Sequence, residues 1–157
     1  MMQPTPTDHE RFMGIALEQA KEGKRIGGGE VGCVITKGDK VLASGYNEEN
    51  LTFDPTAHAE VVTLRKAGHA LQALDLAGCT LYCTLQPCGM CTLACIWSNL
   101  DVIVFGAGRD DVNSMYFDER HLNTGDYIRD SYKHSIKVVP HVLEKACAKL
   151  YKKPSRI

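Results

Sequence analysis

The residue pattern predicts a three-layer α/β/α fold, with a central five-stranded mixed sheet and helices on both faces. Three observations predict it. Short apolar runs of strand length recur at 31–36, 41–46, 80–84, 102–105 and 136–139. Capped segments with helical apolar spacing stand between them. The resulting order, α-β-β-α-β-α-β-(loop)-β-α, combines one hairpin with strand–helix–strand units, which suits a mixed sheet covered on both sides.

Each element has a local reason. Thr7-x-x-Glu10 reads as a capping box. Phe12, Ile15, Ala16 and Ala20 follow it at helical spacing, so a first helix spans about Asp8 to Glu22 and ends at Gly23. Ile26-Gly27-Gly28-Gly29 reads as a flexible loop. Val31–Thr36 and Val41–Tyr46, split by Lys37-Gly38-Asp39-Lys40, form a β-hairpin. Asn47–Pro55 is a polar loop. Thr56 can cap a second helix that carries His58 and Glu60 in its first turn and runs to about Gly68. Thr80–Thr84 is a third strand. Pro87 suits the start of a third helix, Cys88 to about Trp97. Val102–Phe105 is a buried fourth strand. Gly106–Asp130 is long and mostly irregular, with room for one short helix. Ile136–Val139 is a fifth strand and Val142–Lys152 a last helix.

The length of 157 residues suggests one domain, 1–157. Apolar residues make up 44% and charged residues 24%, which suits a globular protein with a core. The net charge of −1 argues against nucleic acid as a partner, because phosphate binding calls for a basic excess. The basic cluster Lys149, Lys152, Lys153 and Arg156 reads equally as a solvated helix end. An odd count of seven cysteines, a C-x-x-C pair and no signal peptide point to the reducing cytoplasm. No apolar run approaches about 18 residues, so no membrane span is expected. Met1–Thr7 reads as a short disordered lead-in.

Most of the chemistry is in His58-Ala59-Glu60, Pro87-Cys88 and Cys91. One His and two Cys can hold a Zn²⁺ and leave its fourth position open for water. Cys88 and Cys91, three apart on one helix turn, point the same way. Both segments start helices, whose N-termini favour thiolates. Glu60 is not needed to bind the metal, but it is placed to move protons to and from a metal-bound water. A closed, structural zinc site is the competing reading, because Cys95 lies four residues beyond Cys91 on the same helix face. A buried free thiol acting as a small apolar side chain is the other account of Cys95. Cys33, Cys79 and Cys83 read as strand core, and Cys147 as the apolar face of the last helix. His9, His69, His121, His134 and His141 lack a partner at metal spacing and read as exposed or locally bonded.

The H-x-E…P-C-x-x-C pattern is the signature of zinc-dependent base deaminases. The chain resembles the cytidine deaminase superfamily over nearly its whole length. It is most similar to the branch with guanine deaminase, cytosine deaminase and the tRNA adenosine deaminases. Asp54-Pro55-Thr56-Ala57-His58-Ala59-Glu60-Val61 and Leu85-Gln86-Pro87-Cys88-Gly89-Met90-Cys91 carry that resemblance, with Gln86 where Glu is commoner. It implies a Zn²⁺ enzyme ligated by His58, Cys88 and Cys91, with Glu60 as base and then acid in the release of ammonia.

Three further places resemble guanine deaminases. They are the Gly28–Val34 stretch, Trp97 six residues past Cys91, and the aromatic-acid-acid run Phe117-Asp118-Glu119. The likeness implies that Glu119 lies over the base and shuttles protons; a solvated acid is the alternative. Guanine's N1–H and amino group would match such an acceptor. It implies Asn47 and the Ala59 N–H as ring contacts, and Trp97 as a pocket wall. Asn47 as a turn residue and Trp97 as helix-core packing are the alternatives. The implied reaction is guanine to xanthine. Deamination of tRNA adenosine to inosine, or of cytosine, guanosine or an amino-triazine, stays open. The stretch Arg109–Ser114 departs from the tRNA enzymes, and Leu150–Ile157 does not clearly match the tail of some guanine deaminases. A homodimer formed through the helices beside the zinc site is expected. Gly106–Asp130 or the C-terminal helix is expected to close one subunit's pocket.

Overall fold

The computed structural model describes residues 3–117, 121–132 and 135–152. Helix α1 spans Pro6–Arg25 and α2 is the single turn Glu49–Thr52. The other helices are α3 (Ala59–Leu71), α4 (Gly89–Trp97), α5 (Thr124–Asp130) and α6 (Glu144–Ala148). The strands are β1 (Gly32–Lys37), β2 (Lys40–Tyr46), β3 (Cys79–Leu85), β4 (Val102–Ala107) and β5 (Lys137–Val139).

The sheet order is β2-β1-β3-β4-β5. β1 pairs antiparallel with both β2 and β3, while β3–β4 and β4–β5 are parallel. The expected five-stranded mixed sheet is therefore present. Its faces follow the period-two rule of a pleated strand. In β1, Cys33 and Ile35 join the core under α3 and α4, with Leu64, Ala67, Cys95 and Ile96. Val34 points the other way, to Phe12, Met13 and Ala16 of α1 and to Cys147 of α6. The middle of the sheet is thereby sandwiched, which is why β3 is buried at every position.

Element boundaries differ from expectation where two signals compete. Helix α1 starts at Pro6, capped by a box between Thr5 and Asp8 rather than Thr7 and Glu10. Pro6 decides it, because proline is pre-shaped for the first helical position and lacks the N–H that would need a partner. Gly23 does not end the helix; it is buried within it, and a Cβ there would meet Gly29 O at 2.6 Å and Tyr46 Cβ at 2.7 Å. The last helix is shorter than expected: α6 ends at Ala148 and tightens into a 3-10 turn, Lys149–Tyr151. Tyr151 is fully buried, with its hydroxyl bonded to Thr84 Oγ1 and donating to Glu30 O.

Candidate active site

The β1–β2 hairpin delivers the chain to Asn47, and the segment from there to Glu60 folds back on itself. The Glu48 N–H donates to Ala57 O at 2.9 Å, and Asp54 Oδ1 accepts from the N–H and hydroxyl of Thr56. His58 is the extended N-cap of α3, and Glu60 lies in that helix's first turn. On the other side, β3 runs out through Gln86 and Pro87. Cys88 is the extended N-cap of α4, with Cys91 in its first turn. Sheet order sets β1 beside β3, so the two helix starts meet at one end of the sheet.

His58 Nδ1 lies 3.7 Å from Cys88 Sγ and 3.5 Å from Cys91 Sγ. Zn–S bonds of about 2.3 Å and Zn–N bonds of about 2.0–2.1 Å at a tetrahedral angle put nitrogen and sulfur roughly 3.5 Å apart. The three atoms therefore already stand at zinc-ligand spacing. Cys95 is not among them; it is fully buried in the core under α3 and α4. The sequence's closed four-ligand alternative is not assembled among the described residues.

The electrostatics fit a metal centre. Cys88 is pulled down to about 4, held as a thiolate first by the Cys91 thiol and then by His58. His58 is raised to about 9, chiefly by its contact with Cys88. Cys91 is pushed far up, because the neighbouring thiolate and burial both oppose a second negative charge. Binding a dication removes that opposition and makes both sulfurs thiolates. Glu60 is only 4% exposed, and burial, then the negative Cys88, raise its pKa. A carboxyl raised in this way holds a proton more readily than a free one, which suits a group that takes a proton and then gives it up.

The remaining expected site residues divide. Asn47 joins the group: its Oδ1 accepts the Ala59 N–H at 2.7 Å, and its Nδ2 faces Glu49 Oε2 at 3.5 Å. The Ala59 N–H, expected to meet the substrate ring, is thus used to orient Asn47. Gly29 packs directly on this amide; a Cβ there would lie 2.7 Å from both Asn47 Cβ and Nδ2. Trp97 does not join. It ends α4 with 81% exposure, in a groove with Leu64, Leu76, Leu93 and Leu74. It is therefore neither core packing nor a wall of its own chain's metal group. Glu119 lies outside the described residues. Phe117, two residues before it, is buried, with the Arg109 guanidinium over the ring, and both line a small cavity with Cys88, Leu122 and Asn123.

Sequence reasoning missed two residues. Glu49 Oε1 sits 3.2 Å from His58 Nε2. Gln86 fastens the rim: its Oε1 accepts the Arg109 N–H, its Nε2 donates to Thr124 Oγ1, and that hydroxyl donates to Pro87 O. The hint for Gln86 is its departure from the commoner Glu. Nothing in the sequence separates Glu49 from its neighbour Glu48.

Residues 6–107 match the family described as the cytidine and deoxycytidylate deaminase zinc-binding region. The chain belongs to that family. It is a zinc-binding hydrolytic deaminase, and the His58, Cys88 and Cys91 atoms suit the ion. Guanine deaminase of Bacillus subtilis is 39% identical over 73% of this chain and 74% of its own length. A tRNA-specific adenosine deaminase of Buchnera aphidicola is 33% identical over 88% of both chains. Among solved structures, the protein NE0047 bound to 2,6-diaminopurine has a TM-score of 0.81 at 29% identity, over 96% of this chain and 81% of that one. A tRNA:A34 deaminase has a TM-score of 0.70 at 26% identity, over 89% of this chain and 98% of that one. No helix among the described residues is long and apolar enough to cross a membrane.

Proposed function

We propose that this deaminase converts guanine and water to xanthine and ammonia. The observation that carries the reading is the fixed Asn47 amide beside the metal group. Its oxygen is occupied by Ala59, so it offers an N–H to an acceptor on the ring edge. Guanine has such acceptors in O6 and N7. His58, Cys88 and Cys91 hold the zinc, which supplies the Lewis acidity that brings a water's pKa from 15.7 toward roughly 7. Glu60 takes the water's proton and passes it to the departing amine. Glu119, two residues beyond the buried Phe117, accepts from the base's N–H groups and helps carry protons. The likeness to a guanine deaminase and to a structure holding a diaminopurine supports a purine base. The net charge of −1 weighs against tRNA.

The groove between α3 and α4 supports the homodimer. Trp97, Leu93 and Leu74 are exposed apolar side chains on one face, where a second copy would bury them. Sedimentation at working concentration should give twice the 17.3 kDa chain mass, and Trp97→Asp should give the monomer.

A parallel ammonia-release screen over guanine, guanosine, cytosine, cytidine, adenine, ammeline and tRNA tests the substrate. Guanine should be turned over, with adenine and cytosine poor. Inert guanine beside active cytosine or tRNA would overturn the assignment and leave only the deaminase class.

A further inference from the structure

We infer that Glu49 is a positioning residue for the zinc ligand His58, and that it ties this ligand to the ring-reading amide of Asn47. The inference rests on the reading of His58, Cys88 and Cys91 as the zinc site. An imidazole that binds a metal through one nitrogen carries its proton on the other. Here Nδ1 faces the two sulfurs, so Nε2 is the N–H nitrogen. Glu49 Oε1 lies 3.2 Å from it, a close charge contact. A carboxylate accepting that proton fixes the tautomer, fixes the ring plane and makes the metal-facing nitrogen a better donor.

The placement of Glu49 is built by its surroundings. Glu49 opens the one-turn helix α2, and the residue before it is pinned by the Glu48 N–H to Ala57 O bond. Thr52 closes the turn, its hydroxyl donating to Glu48 O. The adjacent acids are divided in direction: Glu48 faces Lys66 Nζ at 3.8 Å, while Glu49 faces His58. The second oxygen of Glu49 stands 3.5 Å from Asn47 Nδ2, and Asn47 Oδ1 takes the Ala59 N–H. One carboxylate therefore braces a metal ligand with one oxygen and a substrate contact with the other.

The test compares the zinc affinity of wild type, Glu49→Ala, Glu49→Gln and Glu48→Ala by competition with a chromophoric chelator. Loss of a partner of this kind weakens metal binding about 10–100-fold. Glu49→Ala should show that loss. Glu49→Gln, whose amide oxygen still accepts from Nε2, should recover most of it. Glu48→Ala should bind as wild type does, and guanine KM should rise in Glu49→Ala more than in Glu48→Ala. Unchanged zinc affinity in Glu49→Ala, with one zinc per wild-type chain, overturns the inference alone. A wild-type chain that takes up no zinc overturns the site reading and the inference together.

Discussion

The two halves of the candidate site are built in opposite ways. The metal half, Asn47–Glu60 with Cys88 and Cys91, hangs on two helix N-caps and a closed net of short-range hydrogen bonds. The proposed substrate half, the segment between β4 and β5, carries among its described residues two 3-10 turns, Arg109–Asp111 and Ser114–Tyr116, and then α5. Gln86 and Thr124 tie it to the loop that enters α4. The difference suits the division of labour. Metal chemistry needs fixed atoms in one geometry, and the same net holds Asn47, the proposed ring contact, whereas the segment that carries Glu119 holds none of the expected ligands.

The largest expected effect breaks the metal half outright. Cys88→Ala removes one of the three proposed ligands and should leave the purified protein without zinc. Cys95→Ala should keep a full equivalent, losing stability only through the cavity it leaves in the core. Metal analysis of both variants decides the matter; zinc lost from Cys95→Ala would restore the closed structural site.

Glu60→Ala should separate metal from turnover. The zinc stays, because the carboxylate is not needed to hold it. Ammonia release should fall by roughly 10²–10⁴-fold, the usual contribution of a positioned acid–base group. Appreciable activity in this variant would remove Glu60 from the mechanism.

These two predictions concern the half of the site that the amino-acid sequence makes legible. His58, Glu60, Cys88 and Cys91 stand out because the chemistry demands those side chains at fixed spacing on helix starts. The strands are legible too, because a buried sheet writes apolar runs into β1, β3 and β4. Other features are hidden for physical reasons. The helix α2 is a single turn inside a polar loop, too short for periodicity, so Glu49 cannot be told from Glu48. The start of α1 offers two capping boxes of equal form, and only Pro6 breaks the tie. Trp97 sits at helical spacing from Leu93, which looks like core whether the face packs inside the chain or against another one. The Gly106–Asp130 segment has no period at all, and its described residues are tied by side-chain bonds such as Gln86 to Thr124 that no local pattern records.

The substrate half is tested by Glu119→Gln. If the carboxylate accepts from guanine and carries protons, the variant should lose on the order of 10²-fold in turnover of guanine with its zinc intact. An unchanged rate would let guanine stand as substrate and remove Glu119 as the reason for it. The comparison of halves would then need a different specificity element, with Phe117 and Arg109 the nearest described residues to Cys88 in that segment.

The smallest effect probes the edge of the metal half, where the glycine loop touches Asn47. A Cβ at Gly29 would stand 2.7 Å from Asn47 Cβ and Nδ2. Contacts that short are not tolerated, so something must move. The amide is not a free end, because its oxygen is tied to the Ala59 N–H at 2.7 Å. Gly29→Ala should therefore turn the amide away from the ring while leaving His58, Cys88 and Cys91 in place. Losing one neutral hydrogen bond costs about 0.5–1.5 kcal/mol, or roughly a 2- to 12-fold rise in guanine KM. Zinc content should not change, and kcat should fall less than KM rises. Gly14→Ala is the matching control, since a Cβ there meets nothing within 4 Å. It should leave KM alone and stabilise α1 by up to about 1 kcal/mol, as alanine does in place of glycine in a helix. A wild-type KM in Gly29→Ala would show that the loop yields before the amide does, and Asn47 would lose its standing as a rigidly held reader of the ring.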